Sequence, residues 1–283
     1  MSTGSPTVML DGLAFPEGPR WHDGHLVFSD QHDRRVVRMD ASGNAETLVE
    51  VPNQPSGLGW LPDGRMLVVS MLDRRLLRLE GGALVEHADL SGLATGQCND
   101  MVVDSRGRAY VGNFGFDMYG GEDARETCII LVEPDGSVRA AAQGIAFPNG
   151  TVITGDGRTL IVGESYAGRL TAFGITADGS LVERRLFAQL HGAVPDGICL
   201  DAEGAVWVAC PLTGRVLRVR DGGEVLAEIK VTNDFAYACM LGGADRRTLY
   251  VCTAASSDPK ETPGLRSGRI EAIEVDVPGA GLP

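Results

Sequence analysis

Short apolar runs punctuate the chain at a steady rhythm. Leu26-Val27-Phe28, Met66-Leu67-Val68-Val69, Ala109-Tyr110-Val111, Leu160-Ile161-Val162, Val206-Trp207-Val208 and Leu249-Tyr250-Val251 are each too short for a helix and rich in strand formers. A turn signal precedes each run: Asp23-Gly24, Asp63-Gly64, Arg106-Gly107, Asp156-Gly157, Glu203-Gly204 and Arg246-Arg247. Further upstream stands a second recurrent signal. It reads Pro16-Glu17-Gly18, Pro55-Ser56-Gly57, Cys98-Asn99-Asp100, Pro148-Asn149-Gly150, Pro195-Asp196-Gly197 and, more weakly, Tyr237-Ala238-Cys239. The middle residues fall at 17, 56, 99, 149, 196 and 238, at intervals of 39, 43, 50, 47 and 42.

After each run comes a third strand, such as Val36-Val37-Arg38-Met39 or Leu76-Leu77-Arg78-Leu79, then a glycine turn and a fourth. Four short strands per unit, repeated six times at a period of ~40–50 residues, predict an all-β, six-bladed β-propeller. The sixth unit supplies only three strands and ends with Arg269-Ile270-Glu271-Ala272-Ile273, while Thr7-Val8-Met9-Leu10 precedes the first unit. That N-terminal strand is expected to close the last blade and remove exposed sheet edges. No low-complexity tract or boundary divides the chain, so residues 1–283 are expected to form one domain.

The turn pattern accounts for the 38 glycines, nearly double the usual ~7%. With 25 Lys and Arg against 38 Asp and Glu, the formal charge is −13. Such a chain has no surplus of cations to displace counterions from nucleic acid. No stretch approaches the ~18 apolar residues of a membrane span. The N-terminus lacks the charged start and apolar core of a secretory leader. Six widely spaced cysteines without a Cys-x-x-Cys pair read as reduced core thiols, so the expected address is cytoplasmic.

Alternating strand direction places the opening turns and the loops after each second strand on one face. The opening turns also start the innermost strands, so their middle residues ring the mouth of the central channel: Glu17, Ser56, Asn99, Asn149, Asp196 and Ala238. In any one unit, Asp, Asn or Ser between Pro and Gly is simply a turn former. Two carboxylates and two amides in one ring, with no Lys or Arg, ask for more. A narrow channel cannot hold two carboxylates without counter-charge, and one divalent cation supplies it. Oxygen donors favour Ca²⁺, then Mg²⁺ or Mn²⁺, with Zn²⁺ a lesser fit. Water or substrate would complete the shell, and an open position on a metal is where Lewis-acid chemistry happens.

These motifs resemble the senescence marker protein / gluconolactonase / luciferin-regenerating enzyme family of six-bladed propellers. The matching stretches include Phe15-Pro16-Glu17-Gly18-Pro19-Arg20-Trp21, Asn99-Asp100, Pro148-Asn149-Gly150 and Pro195-Asp196-Gly197-Ile198-Cys199-Leu200-Asp201. The resemblance implies that Glu17, Asn149 and Asp196 bind a catalytic divalent metal. It makes Asn99 a ligand or a substrate contact, and lactone hydrolysis the reaction. Sugar-lactone members commonly carry Arg two residues before the Asn, where this chain has Gln97. A neutral amide cannot make the charge-assisted fork of an Arg, so the expected substrate is a lactone or ester other than gluconolactone. Asp196 is expected to orient the attacking water or take its proton, with direct attack by Asp196 as the alternative.

The loops after the second strands should wall the pocket. The long one, 113–128, offers Phe114 and Phe116 to substrate; 256–267 is a second rim loop, and Glu164 and Ser165 begin a third. The five histidines fall outside the ring and read as solvated or structural, with His32 and His191 nearest the rim. No Gly-x-Ser-x-Gly elbow supports a serine triad. Trp21, Trp60 and Trp207 read as fillers between blades, and the arginine pairs at 34–35, 74–75, 184–185 and 246–247 as solvated turn edges. Two rival functions fit the same residues. One is another reaction on this scaffold, such as organophosphate hydrolysis or a biosynthetic cyclisation; the other is a non-catalytic calcium- or protein-binding propeller. The oligomeric state stays open.

Overall fold

A computed structural model describes residues 4–282; residues 1–3, where the N-terminal stretch read above begins, and residue 283 lie outside the described residues. Six four-stranded antiparallel sheets form the six blades of a β-propeller. In blade one the strands run outward as Pro16–His22, His25–Asp30, Arg35–Met39 and Ala45–Glu50. The innermost strands of the others are Pro55–Trp60, Cys98–Val103, Pro148–Ile153, Ile198–Leu200 and Phe235–Gly242. Closure is as expected: Thr7–Leu13 pairs antiparallel with Gly268–Glu274 as the outer strand of blade six. Among the described residues no helix is long and apolar enough to cross a membrane.

Inner strands such as Cys98–Val103 and Pro148–Ile153 are buried along their whole length, because blades cover both of their faces. Outer strands such as Ala45–Glu50 keep one face in water. The tryptophans fill inter-blade space as expected: Trp21 stacks on Tyr250 at 5.7 Å and Trp60 on His22 at 3.9 Å. All six cysteines are free thiols. The arginine pairs depart from the expectation. Arg35 and Arg184 form ion pairs with the buried carboxylates of Asp30 and Glu164, and Arg246 buries Nε and Nη2 without a hydrogen-bond partner. Arg34, Arg74 and Arg246 occupy left-handed turn positions, which explains why a turn is there but not why it is Arg.

Two features of the inner strands build the channel mouth. First, neighbouring inner strands approach backbone to backbone. A Cβ on Gly57 would stand 2.4 Å from Met101 N, and one on Gly150 2.4 Å from Ile198 N. Gly57→Ala is therefore expected to destabilise by about 1–3 kcal/mol, read as a lower urea midpoint. Gly92→Ala, which meets open space, should leave that midpoint unchanged. Second, in blades one to four the strand register breaks just past the opening turn, between Glu17 and Arg20, Pro55 and Leu58, Cys98 and Met101, and Pro148 and Thr151. A bulge re-aims the side chain it carries. Here it turns the ring residues toward the axis.

The chain beyond blade six was not anticipated as a structural element. It bonds to the far ends of the inner strands, with Ala280 N donating to Leu200 O and Leu282 paired with Ile153.

Candidate metal centre and its pocket

The ring is assembled as expected in five blades and corrected in the sixth. In blade six the register breaks between Ala236 and Ala238, so the bulged residue is Tyr237. Gly150 N donates to Asp196 O and Gly197 N to Tyr237 O, which makes Tyr237 the counterpart of Asp196. Ala238 instead packs against Gly197, at the position where blades one, two, four and five carry glycine.

The neutral members are fixed by a continuous hydrogen-bond chain. Gln31 Nε2 donates to Ser56 Oγ, Ser56 Oγ to Asn99 Oδ1, Asn99 Nδ2 to Asn149 Oδ1 and Asn149 Nδ2 to Ser165 Oγ, each at 3.2 Å. Ser165 Oγ ends the chain on Pro195 O at 2.7 Å. Gln31 and Ser165 both begin the short turn that follows a second strand, immediately after a buried acid, Asp30 and Glu164. Ser165 thus lies at the site, as considered. Glu164 does not: its carboxylate is consumed by Arg169, Arg184, Thr171 and Ala146 N.

The charged members are unbalanced. Burial raises the Glu17 carboxyl to about 8, with Asp100 adding to the rise and only Gly18 N and Arg20 opposing it. Burial pushes Asp196 well above the usual carboxylate range; Glu17 and Asp100 push the same way, and a hydrogen bond with Asn149 offsets part of it. Arg20, 2% exposed, is the cation of this group. Its Nη2 donates to Asp100 Oδ1 and to Met101 O at 2.6 Å each, while Nε and Nη1 are bound by Leu58 O and Pro19 O. Glu17 and Asp196, partly open to the channel, and the buried Asp100 thus have one guanidinium among them, a surplus of two negative charges when all are ionised. Among the described residues no three His, Cys, Asp or Glu side chains converge as ligands. The donor set is two carboxylates with amide and hydroxyl oxygens. A surplus of two charges and an all-oxygen shell suit a hard divalent cation.

Above the ring lies a cavity of about 400 Å³. Glu17, Asn99, Asn149 and Asp196 reach it from below, and Phe114, Met118 and Tyr119 of the 113–128 loop wall one side. Ala255, Ser256 and Ser257 wall another, and the two rim loops meet where Tyr119 OH donates to Ser257 O at 3.5 Å. Burial pushes the Tyr119 hydroxyl up to about 12, with the carboxylates of Asp258, Asp196 and Glu17 adding to it. Phe116 does not line the cavity; its ring braces Phe147 and Tyr166, which do. Gln97 is likewise outside the lining, its carbonyl accepting from Phe114 N at 2.9 Å. His32 stacks on Phe15 and meets Thr262 Oγ1 through Nδ1; burial drops it to about 4, so it is a neutral brace. His191 is exposed and away from the ring.

Residues 15–255 match the SMP-30/Gluconolactonase/LRE-like region. The chain belongs to this family. A regucalcin of Danio rerio is 29% identical over 252 residues, covering 84% of this chain and 82% of that protein. A pentonolactonase of Haloferax volcanii is 26% identical over 279 residues, covering 94% and 92%. The crystal structure of a calcium-binding protein, regucalcin, from Agrobacterium tumefaciens superposes with a TM-score of 0.83. That match covers 99% of this chain and 96% of the other at 24% identity, a likeness of fold.

Proposed function

We propose that this family member is a metal-dependent hydrolase that opens a lactone to its hydroxy acid. The observation that carries this reading is the surplus of two negative charges, ringed by fixed amide oxygens, at the floor of a cavity sized for a small molecule. Glu17, Asn149 and Asp196 would hold the cation, with Asn99 as a fourth oxygen or a substrate contact. When bound, the ion would supply a Lewis acid for the ring carbonyl, Ca²⁺ being the best match to these donors. Asp196 would orient the attacking water, accept its proton and return it to the departing ring oxygen as the acyl–oxygen bond opens. The hydrogen-bond chain from Gln31 to Ser165 keeps the amide oxygens aimed at the axis, and the 113–128 and 256–267 loops exclude bulk water.

With Gln97 outside the lining, it is the lack of any Lys or Arg around the cavity, among the described residues, that supports a substrate other than gluconolactone. The names of the relatives favour one second reading, a calcium-binding propeller without turnover. Acid release in a pH-stat from sugar and aliphatic lactones, on EDTA-stripped protein and after adding back Ca²⁺, Mg²⁺, Mn²⁺ or Zn²⁺, separates the two. Metal-restored turnover is expected. Metal binding with no lactone opened would leave the calcium-binding reading or other chemistry on this ring.

A further inference from the structure

The carboxylates and amides of the cavity stand on its floor, where the neutral ones already bond to one another, while Ser256 and Ser257 belong to a rim wall. The wall supplied by blades three and four is aromatic. Phe114 stacks on Phe147 at 4.5 Å with planes 16° apart, and Tyr166 closes on Phe147 at 5.0 Å. Among the described residues no Lys, Arg or His lines the cavity. A phosphorylated, sulfonated or carboxylate-bearing substituent lying along this wall, away from the floor and any cation held there, would thus meet no counter-charge. This wall also offers few donors to a row of sugar hydroxyls.

Two further observations point the same way. The apolar wall continues into water at the mouth, where Tyr166 is 56% and Leu212 72% exposed while both line the cavity. Apolar side chains left in water around a concave site mark where a ligand's apolar part comes to rest. Phe147 also holds a left-handed backbone, φ +62°, a strained position for a bulky side chain. Gln54 has the same conformation before Pro55, so the turn belongs to the architecture. In blade four that turn is spent on presenting an aromatic ring between Phe114 and Tyr166.

Resting on the hydrolase reading, we propose that the substrate is an uncharged lactone bearing an aliphatic or aromatic substituent. Its ring carbonyl sits over Glu17 and Asp196, and its substituent lies along Phe114, Phe147 and Tyr166 toward Leu212. Phe147 and Tyr166 are then specificity-determining residues.

The test is a series of γ-lactones carrying no substituent, methyl, propyl, pentyl or heptyl, assayed for kcat/KM on Ca²⁺-loaded protein. Each buried methylene is expected to raise kcat/KM by roughly two- to fourfold until the chain leaves the wall. Tyr166→Ser and Leu212→Ser, both at exposed positions, should lower the ratio of heptyl to unsubstituted kcat/KM at least fivefold. A flat series, or faster turnover of a polyhydroxylated or anionic lactone, overturns the proposal. If no lactone turns over, the hydrolase reading fails by itself. Calorimetry with the matching unreactive γ-lactams then decides the inference: affinity that tightens with chain length upholds it, and affinity indifferent to length overturns it.

Discussion

Asp196→Asn is expected to fold as the parent chain does, to lose most of its affinity for Ca²⁺, and to lose turnover by roughly 10²–10⁴-fold. Folding should survive because Asp196 serves the blade through its backbone: its N–H donates to Ala209 O and its carbonyl accepts from Gly150 N. The side chain contributes no such bond to the sheet. Its carboxylate is buried beside Glu17 and Asp100, an arrangement unfavourable to the ionised form until a cation joins it. An amide of the same shape removes one of the two uncompensated charges and the only proton acceptor proposed for the attacking water. The apo protein should therefore be at least as stable as the parent, while the metal complex weakens. Glu17→Gln should weaken metal binding comparably. A turnover defect that excess Ca²⁺ rescues for Glu17→Gln but not for Asp196→Asn would separate a ligand from a base. Circular dichroism, calcium calorimetry and pH-stat rates on the two variants check this, and full hydrolase activity in Asp196→Asn would falsify its assigned role.

Why the ring was legible before any coordinates, and the pocket was not, has a physical origin. The opening turns repeat because every inner strand must begin with a tight turn and then pack against its neighbour, which forces Pro and Gly to recur around one free position. Where those markers are intact, as at Glu17, Asn149 and Asp196, position follows directly. Blade six lacks both Pro and Gly, as blade three does, but where blade three keeps the turn formers Asn99-Asp100, Tyr237-Ala238-Cys239 carries none, so nothing local distinguishes one register from the next, and Ala238 took the place that belongs to Tyr237. Arg20 lay in plain view within the Phe15–Trp21 stretch. Its meaning comes from Asp100, 80 residues away and two blades on, a contact that no local pattern encodes. The aromatic wall is only partly local: the long 113–128 loop pointed to Phe114, but Phe147 and Tyr166 meet it from the next blade, each unremarkable alone. Gln31 and Ser165 carried a weak signal, a polar residue just after the acid that ends the second strand.

Metal-free protein is expected to lose stability as pH rises from 6.5 to 8, and Ca²⁺ to restore it. Burial pushes Glu17 up to about 8 in the folded chain against its ordinary 4.5, so between these values the folded state keeps a proton that the unfolded chain has released. Stability then falls with rising pH and levels off above about 8, at about 1.4 kcal/mol for each pH unit over which the difference is complete. Asp196 shifts in the same direction and reinforces the fall. His32 acts oppositely, because burial lowers it from 6.5 to about 4; it raises stability as pH climbs through that interval and is silent above it. Burial lowers His22 and His87 as well, and the opposing effect of all three histidines fades as pH climbs past 6.5, so the fall toward pH 8 belongs to the channel carboxylates. A cation that replaces their protons at pH 8 should stabilise by about 2.7 kcal/mol at a free concentration one hundred times its Kd. For a chain of this length, with an unfolding entropy of about 0.6 kcal/mol/K, that corresponds to a rise in Tm of roughly 4–5 °C. At pH 5 the same addition should do much less, since the ion must first displace bound protons. Scanning calorimetry across pH, with and without Ca²⁺, reads both effects, and Glu17→Gln should flatten the metal-free slope and shrink the calcium response together. A metal-free Tm that is level or rising from pH 6.5 to 8 would mean that the carboxylates are already neutralised from within, and the case for a resident cation would lose its electrostatic basis.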